Sequence, residues 1–431
     1  KKMKRKIYSA LVSWKNKSSR MPLIVNGARQ VGKSYILQKF GKQEFDSYII
    51  VNLEVDKALA EKFDSHLAPA GIIQYLESAY SQRIIPGKTL VILDEIQASE
   101  RALTSLKYFC EQAPEYHIVA AGSLLGVAIN RNKYSFPVGK VDEMTLFPMD
   151  FEEFLWALGR ENFAELIRKH FESNEPLDVH AMAADFYNQY LIVGGMPAAV
   201  KEFMNTNSFV AVADIQNRIL NEYIADMVKY AAPATSIKIR ACYEAIPAQL
   251  AKENHKFQYA VVQKGGSSTI FGESIEWLKY AGVVLKCQKT TQGALPIKVY
   301  VDLSDFKLYM SDVGMLTMQS GMGAQAILSP LEVESPFMGA IAENYVAQAF
   351  SANLIPLLYW KNDNTAEVDF VIQKGVDVIP VEVKAGVWGR SKSMNIFMTK
   401  YKSAYGIRIS KKNFGFENGV KSVPLYAAFC I

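Results

Sequence analysis

Short apolar runs alternate with segments of helical periodicity over the first third of the chain. The apolar runs predict strands within 22–34 and at 48–54, 89–95, 117–123 and 141–148. Residues 34–40 and most of 59–82 have the spacing of helices instead. Because strands and helices alternate, the pattern predicts an α/β fold with a five-stranded parallel sheet and right-handed crossovers.

The middle of the chain has a predominantly helical pattern. Residues from Phe151 to about Asn254 keep this spacing, and Asp150 stands three positions before Glu153, as in a capping box. Further helical patterns are followed by two extended stretches at 283–289 and 297–303, which is the order of a winged helix. The third winged-helix helix, at 267–281, would enter a DNA major groove in DNA-binding proteins. Its two glutamates, Glu273 and Glu276, suit a packing module at least as well.

The last hundred residues predict another α/β domain. A helix is expected at 339–351, followed by strands at 367–372 and 379–384. The predicted fold is therefore a P-loop NTPase sheet with a helical lid, a winged helix and a C-terminal α/β domain. The four predicted segments are 1–150, 151–235, 236–325 and 326–431.

Composition narrows the class of protein. The chain has 431 residues, of which 50% are hydrophobic and 21% charged, so a soluble protein with several domains is expected. No apolar run approaches the length of a membrane span, which predicts no membrane association. The 4 cysteines are scattered, which argues against zinc and disulfides and favours a reducing cytoplasm. The net charge of +5 permits DNA binding but does not require it.

Eight consecutive residues fit the phosphate-binding motif G-x-x-x-x-G-K-[ST]. They are Gly27, Ala28, Arg29, Gln30, Val31, Gly32, Lys33 and Ser34. Backbone N–H groups of such a loop and of the following helix point at phosphates. Lys33 would reach the β- and γ-phosphates of ATP, and the Ser34 hydroxyl would bind Mg²⁺. The alternative is a glycine-containing turn between a strand and a helix.

Two carboxylates end the predicted strand at 89–95. Asp94 would hold Mg²⁺ through its water shell, and Glu95 would orient and deprotonate the attacking water. Without the upstream loop, an acidic turn would explain both residues. Ser123, at the end of another strand, would contact either the γ-phosphate or the water, or would cap the following turn.

A resemblance extends over nearly the whole chain. GARQVGKS, LVILDEIQ, AAGS and TLFPMDFEEFL resemble the AAA-type ATPase domain of a widespread family of prokaryotic ATP-binding proteins. The C-terminal half of that family was long catalogued as a domain of unknown function. The resemblance implies a lid stretch at 190–197 and a K-x-Y-x-x-D-x-G stretch at 307–314. It also implies an arginine finger where this chain has Lys140, which cannot make a bidentate contact with phosphate; Arg101 and Arg131 are the alternatives, and the sequence does not choose between them.

A second possible chemistry lies in the C-terminal domain. Glu343, Asp369, Glu382 and Lys384 follow the order of a PD-(D/E)xK nuclease. Glu382 and Lys384 are two apart in a strand and therefore share a face. Asp369 and Glu382 would bind Mg²⁺ or Mn²⁺ with Glu343 as an outer carboxylate, and Lys384 would activate water. Nuclease folds also serve as binding modules, so the pattern leaves cleavage open.

The sequence thus predicts an AAA-type ATPase that uses ATP and Mg²⁺ and carries a DNA-binding, nuclease-like C-terminal domain. The alternative is a nucleotide-controlled switch or scaffold, similar to STAND signalling ATPases, that binds DNA or a protein partner without cleaving it. Homo-oligomer formation is possible in both interpretations.

Overall fold

The structure is a computed structural model that describes residues 3–65, 67–123, 136–253, 255–329, 335–362, 366–387 and 392–431. It contains two compact units. The first comprises Lys4–Phe147 with Tyr280–Gly282, and the second consists chiefly of Pro148–Lys279 and Val283–Ile431. Within these described ranges, no helix has both the length and the apolar character needed to cross a membrane. The predicted subdivision of the second unit into three segments stays a prediction.

Five parallel strands of the described chain form the sheet of the first unit. They are β1 (Leu23–Asn26), β2 (Ser47–Asn52), β3 (Thr89–Asp94), β4 (His117–Ala121) and β5 (Asp142–Thr145), in the order β2-β3-β4-β1-β5. The accompanying helices are α1 (Ile7–Lys15), α2 (Lys33–Glu44), α3 (Lys57–Ser65), α4 (Pro69–Tyr80) and α5 (Glu100–Gln112). All side chains of β3 and β4 are buried, as in a parallel sheet covered on both faces. The predicted five-stranded parallel sheet is confirmed.

The strand order determines where the predicted site residues meet. β4 lies between β1 and β3, since Leu23 pairs with Val119 and Leu93 pairs with Ala120. The carboxyl ends of parallel strands open on one edge of a sheet, which is where α/β folds bind ligands. The segments that follow β1, β3 and β4 therefore lie together at that edge.

Helices make up the first part of the second unit. They are α6 (Phe151–Ala157), α7 (Glu161–Ser173), α8 (His180–Val193), α9 (Pro197–Thr206), α10 (Phe209–Tyr230), α11 (Pro233–Glu244), α12 (Ile246–Leu250), α13 (Tyr259–Val262) and α14 (Ser268–Tyr280). The predicted capping box is present, because Asp150 accepts a hydrogen bond from the Glu153 backbone and Glu153 reciprocates. The helical pattern that follows it is divided by Gly159, which has a φ of +75° between α6 and α7.

Two sheets and four helices complete the described part of the second unit. The helices are α15 (Val313–Ser320), α16 (Ala324–Leu328), α17 (Phe337–Ala352) and α18 (Lys392–Tyr401). The first sheet has the order β7-β6-β8-β9 and contains β6 (Val284–Thr290), β7 (Val301–Met310), β8 (Leu358–Lys361) and β9 (Glu367–Val368). The second has the order β10-β11-β12-β14-β13 and contains β10 (Phe370–Lys374), β11 (Asp377–Val383), β12 (Gly406–Ser410), β13 (Gly415–Glu417) and β14 (Val420–Pro424).

Two sequence-based boundaries were wrong. The second extended stretch begins at Val301, because Ile297–Tyr300 is a short 3-10 helix. β6 pairs with β7, and it also pairs with β8 on its other side. The predicted strand at 367–372 breaks at Asp369. β9 pairs with β8, whereas β10 pairs with β11 in the other sheet. The Asp369 carboxylate accepts a hydrogen bond from the Val383 backbone at 2.8 Å, which fixes the chain where it changes sheets.

Candidate functional site

The loop between β1 and α2 has a backbone conformation that requires its two glycines. Gly27 has a φ of +147° and Gly32 a φ of +93°, in the region that L side chains rarely adopt. A Cβ atom on Gly27 would also collide with the carbonyl oxygen of Leu146. Helix α2 begins immediately after the loop, at Lys33. The first N–H groups of a helix lack intrahelical acceptors, so this loop and helix start can bind an anion.

Lys33 and Ser34 connect the loop to β3. The buried Lys33 ammonium donates to the carbonyl oxygens of Gly27 and Ala28, each at 2.8 Å. The Ser34 hydroxyl donates to Asp94 Oδ2 at 2.6 Å. Burial raises the pKa of Asp94, and the Ser34 hydrogen bond opposes that rise. The serine and aspartate oxygens are hard donors in direct contact, as two ligands of one Mg²⁺ ion would be.

Glu95 is positioned by two polar side chains and by an unusual backbone. Its φ of +51° is rare for a residue other than glycine. Its Oε2 accepts hydrogen bonds from Gln97 Nε2 at 2.5 Å and from Ser123 Oγ at 3.3 Å. Ser123 therefore contacts the predicted general base, Glu95. Residues 124–135, which follow Ser123 and bear on the alternative prediction that it caps a turn, lie outside the described residues.

Gln97 was not singled out from the sequence. Its amide nitrogen binds Glu95, and its buried Oε1 has no hydrogen-bond partner among the described residues. Buried polar atoms are nearly always hydrogen-bonded, so an acceptor that lacks a partner beside a carboxylate suits a water molecule. Nothing in the local pattern of LVILDEIQ indicates this contact, because it depends on the backbone turn at Glu95.

Lys140, at the predicted arginine-finger position, and Arg101, an alternative to it, both bind residues of the first unit. Lys140 Nζ lies 3.1 Å from Glu111 Oε1. Arg101 Nε donates to the carbonyl oxygen of Phe63 at 3.3 Å. Arg131 lies outside the described residues.

The C-terminal carboxylates form a buried ion cluster with residues outside the predicted nuclease set. Glu343, on α17, accepts hydrogen bonds from Lys307 Nζ at 3.0 Å and from the Tyr309 hydroxyl, both through Oε1. His255 Nδ1 lies 2.9 Å from the other oxygen, Oε2. Lys307 also lies 2.9 Å from Oε1 of Glu367. The K-x-Y stretch that the resemblance implied thus supplies two partners of Glu343.

The pKa shifts of the cluster follow from burial and pairing. Burial by itself would raise the pKa of Glu343, but the Lys307 ammonium and the His255 contact outweigh it and hold that pKa below its usual range. Burial would lower the pKa of Lys307, yet Glu343 and Glu367 keep it well above the ordinary lysine value. Both groups are therefore charged at neutral pH.

The other predicted nuclease residues follow α17 along the chain: Asp369 lies between β9 and β10, Glu382 on β11 and Lys384 directly after β11. Glu382 contacts Lys384, with 3.4 Å between Oε1 and Nζ, and its Oε2 lies 3.7 Å from Arg408 Nε. Burial and the charge of Glu343 raise the pKa of Asp369 to about 6. Among the described residues, no group of three or more His, Cys, Asp or Glu side chains is arranged to hold a metal ion.

Asp312 has a structural role that the sequence left unexplained. It caps α15 by accepting a hydrogen bond from the Met315 backbone at 3.0 Å, and it also accepts one from the Gly195 backbone at 2.5 Å. A Cβ on Gly195 would collide with the backbone of Met149. The stretches at 190–197 and 307–314 that the resemblance implied therefore meet in one closely packed junction of the second unit.

Comparisons with known proteins agree with part of this picture. Residues 19–155 match a family described as an AAA domain. Residues 184–326 and 338–428 match two families described as domains of unknown function, DUF8612 and DUF4143. None of the curated proteins compared with the chain matches it.

Several solved structures are similar at low sequence identity. A Walker-type ATPase of Pyrococcus abyssi is 15% identical with a TM-score of 0.46, over 74% of this chain and 96% of that one. The Orc1 protein of Aeropyrum pernix, solved in complex with DNA, is 11% identical with a TM-score of 0.31, over 74% and 91%. AMPPCP-bound DnaA from Aquifex aeolicus is 12% identical with a TM-score of 0.28, over 64% and 89%.

Proposed function

From the AAA-type P-loop domain at residues 19–155, we propose that the protein binds ATP with Mg²⁺ and hydrolyses it. The observation that carries this proposal is the 2.6 Å contact between Ser34 Oγ and Asp94 Oδ2 beside the phosphate loop. The contact brings the hydroxyl of the loop motif and the carboxylate of β3 to one point. These are the two protein groups that hold Mg²⁺ in P-loop NTPases.

Each residue of this site has a separate task. The loop backbone binds the phosphates, and Lys33 neutralises negative charge on the β- and γ-phosphates. Ser34 and Asp94 hold Mg²⁺, which supplies further positive charge at the transferred phosphoryl group. Glu95 orients the attacking water and accepts its proton, while Gln97 and Ser123 hold the glutamate side chain.

The second unit is proposed to engage DNA through its nuclease-like C-terminal domain. This proposal rests on the order of Glu343, Asp369, Glu382 and Lys384 and on the chain's net charge of +5. A nucleotide-controlled switch that binds DNA or a protein without cleavage is the second candidate. The ion pairs of Glu343 and Glu382 favour it, because their carboxylates already face cations.

The test measures ATP turnover of the full chain with and without single-stranded, duplex and branched DNA, together with particle size in ATP. Wild-type turnover should require Mg²⁺ and should rise with at least one DNA structure. Lys33→Ala should abolish turnover, whereas Lys107→Ala, at an exposed lysine on α5, should leave it unchanged. Normal hydrolysis by Lys33→Ala would overturn the ATPase proposal. Failure of every DNA to bind or stimulate would overturn the DNA proposal alone.

A further inference from the structure

We propose that the Lys307 ammonium neutralises Glu343 and Glu367 in place of a metal ion, so that the second unit keeps these carboxylates as a metal-free ion cluster and does not cleave DNA. The inference rests on the proposed nuclease-like character of this unit and decides between its two candidate functions. It depends on the contacts around one buried lysine of β7.

Lys307 is buried and paired with two carboxylates of the cluster. The residue is 1% exposed, and its ammonium lies 3.0 Å from Glu343 and 2.9 Å from Glu367. It also lies over the Tyr359 ring, 4.9 Å from the ring centroid. A buried ammonium is stable only when it is paired and hydrogen-bonded, and here both conditions are met.

The oxygens of Glu343 are already used. Oε1 accepts from Lys307 and from the Tyr309 hydroxyl, and Oε2 faces His255. A divalent cation at this carboxylate would have to displace those donors. It would also lie close to the Lys307 ammonium in a site of low dielectric, where like charges repel strongly. Glu343 is therefore unsuited to be the outer metal ligand that the sequence predicted.

Two further carboxylates, Glu367 and Glu382, face cations of their own, and Asp369 has a backbone hydrogen bond instead. Glu367 pairs with Lys361 through the oxygen that does not contact Lys307, at 3.0 Å. Glu382 lies between Lys384 and Arg408. Asp369 accepts the Val383 N–H at 2.8 Å. Glu343, Glu367 and Glu382 thus each lie within 4.0 Å of a lysine or arginine without a metal ion.

The cluster joins separate elements of the second unit. Lys307 comes from β7, Glu343 from α17 and Glu367 from β9, so three separate elements meet at the ammonium. Breaking a buried ion pair from one side leaves an uncompensated charge and is strongly destabilising. The cluster therefore fastens the β6–β7 hairpin to the C-terminal helix and strands.

The test uses the full chain without nucleotide, with Mn²⁺ as the probe. Mn²⁺ stoichiometry is measured by electron paramagnetic resonance, and thermal unfolding is followed with and without MnCl₂. Wild type and Asp369→Asn should bind the same amount of Mn²⁺. Lys307→Met should bind one additional Mn²⁺ per chain, and Mn²⁺ should raise its melting temperature. Lys201→Met, at an exposed lysine of α9, should behave as wild type.

Three results would overturn the inference. Wild type could bind a Mn²⁺ ion that Asp369→Asn loses, or it could cut DNA in a way that Glu382→Gln abolishes. A folded Lys307→Met variant could also gain no Mn²⁺. If Lys307→Met does not fold, the wild-type comparison with Asp369→Asn and the cleavage assay decide the matter. ATP turnover is measured separately, so a failed ATPase proposal is distinguishable from a failed cluster proposal.

Discussion

Replacing Glu95 by glutamine tests the proposed hydrolytic centre with the smallest change of shape. In the structure, Glu95 Oε2 accepts hydrogen bonds from Gln97 and Ser123, which orient the side chain. A glutamine keeps one acceptor oxygen but cannot take a proton from water. General-base catalysis contributes about 10²–10⁴-fold to rate. Turnover by Glu95→Gln should fall by that factor, which corresponds to about 2.7–5.4 kcal/mol of activation free energy.

ATP binding should survive the substitution, because Lys33, Ser34 and Asp94 are unchanged. Steady-state phosphate release measures turnover, and titration with a fluorescent ATP analogue measures affinity. Glu115→Gln, at an exposed glutamate of the same unit, serves as the matched control and should retain both properties. Turnover by Glu95→Gln within twofold of wild type would refute the assignment of Glu95 as the general base.

Three further predictions follow from single contacts. Gln97→Ala should lower kcat about tenfold with little change in ATP affinity, since only the orientation of Glu95 is lost; an unchanged kcat would contradict this role. Gly195→Ala should lower the free energy of unfolding in urea by about 1–3 kcal/mol or more, because the added Cβ would collide with the Met149 backbone. Gly323→Ala is the control and should leave that free energy unchanged, because the space around Gly323 is open. His255→Gln should reduce stability in a pH-dependent way. Burial lowers the pKa of His255, but Glu343 raises it more, so the folded pKa exceeds the unfolded value of about 6.5. The stabilisation by His255 is therefore fully present below pH 6.5 and is lost as the pH rises through the folded pKa. Urea unfolding measures this difference. Equal stability of wild type and His255→Gln at pH 5.5 would contradict the prediction.

The first unit was largely predictable from local pattern. Gly27 and Gly32 have the positive φ angles that the motif requires, and Asp94 ends a buried strand as expected. The Asp150–Glu153 capping box was also correct. These features depend on residues within about eight positions of one another, so the sequence contains their whole physical cause.

The sequence by itself determined the phosphate loop, the acidic end of β3 and the order of the C-terminal carboxylates. Only the tertiary structure decided what those carboxylates contact. Lys307 lies 36 positions from Glu343 along the chain, and no periodicity indicates that its ammonium is buried beside that carboxylate. The pairing arises because β7 and α17 pack together, and a buried charge must find its partner among whatever elements the fold brings to it.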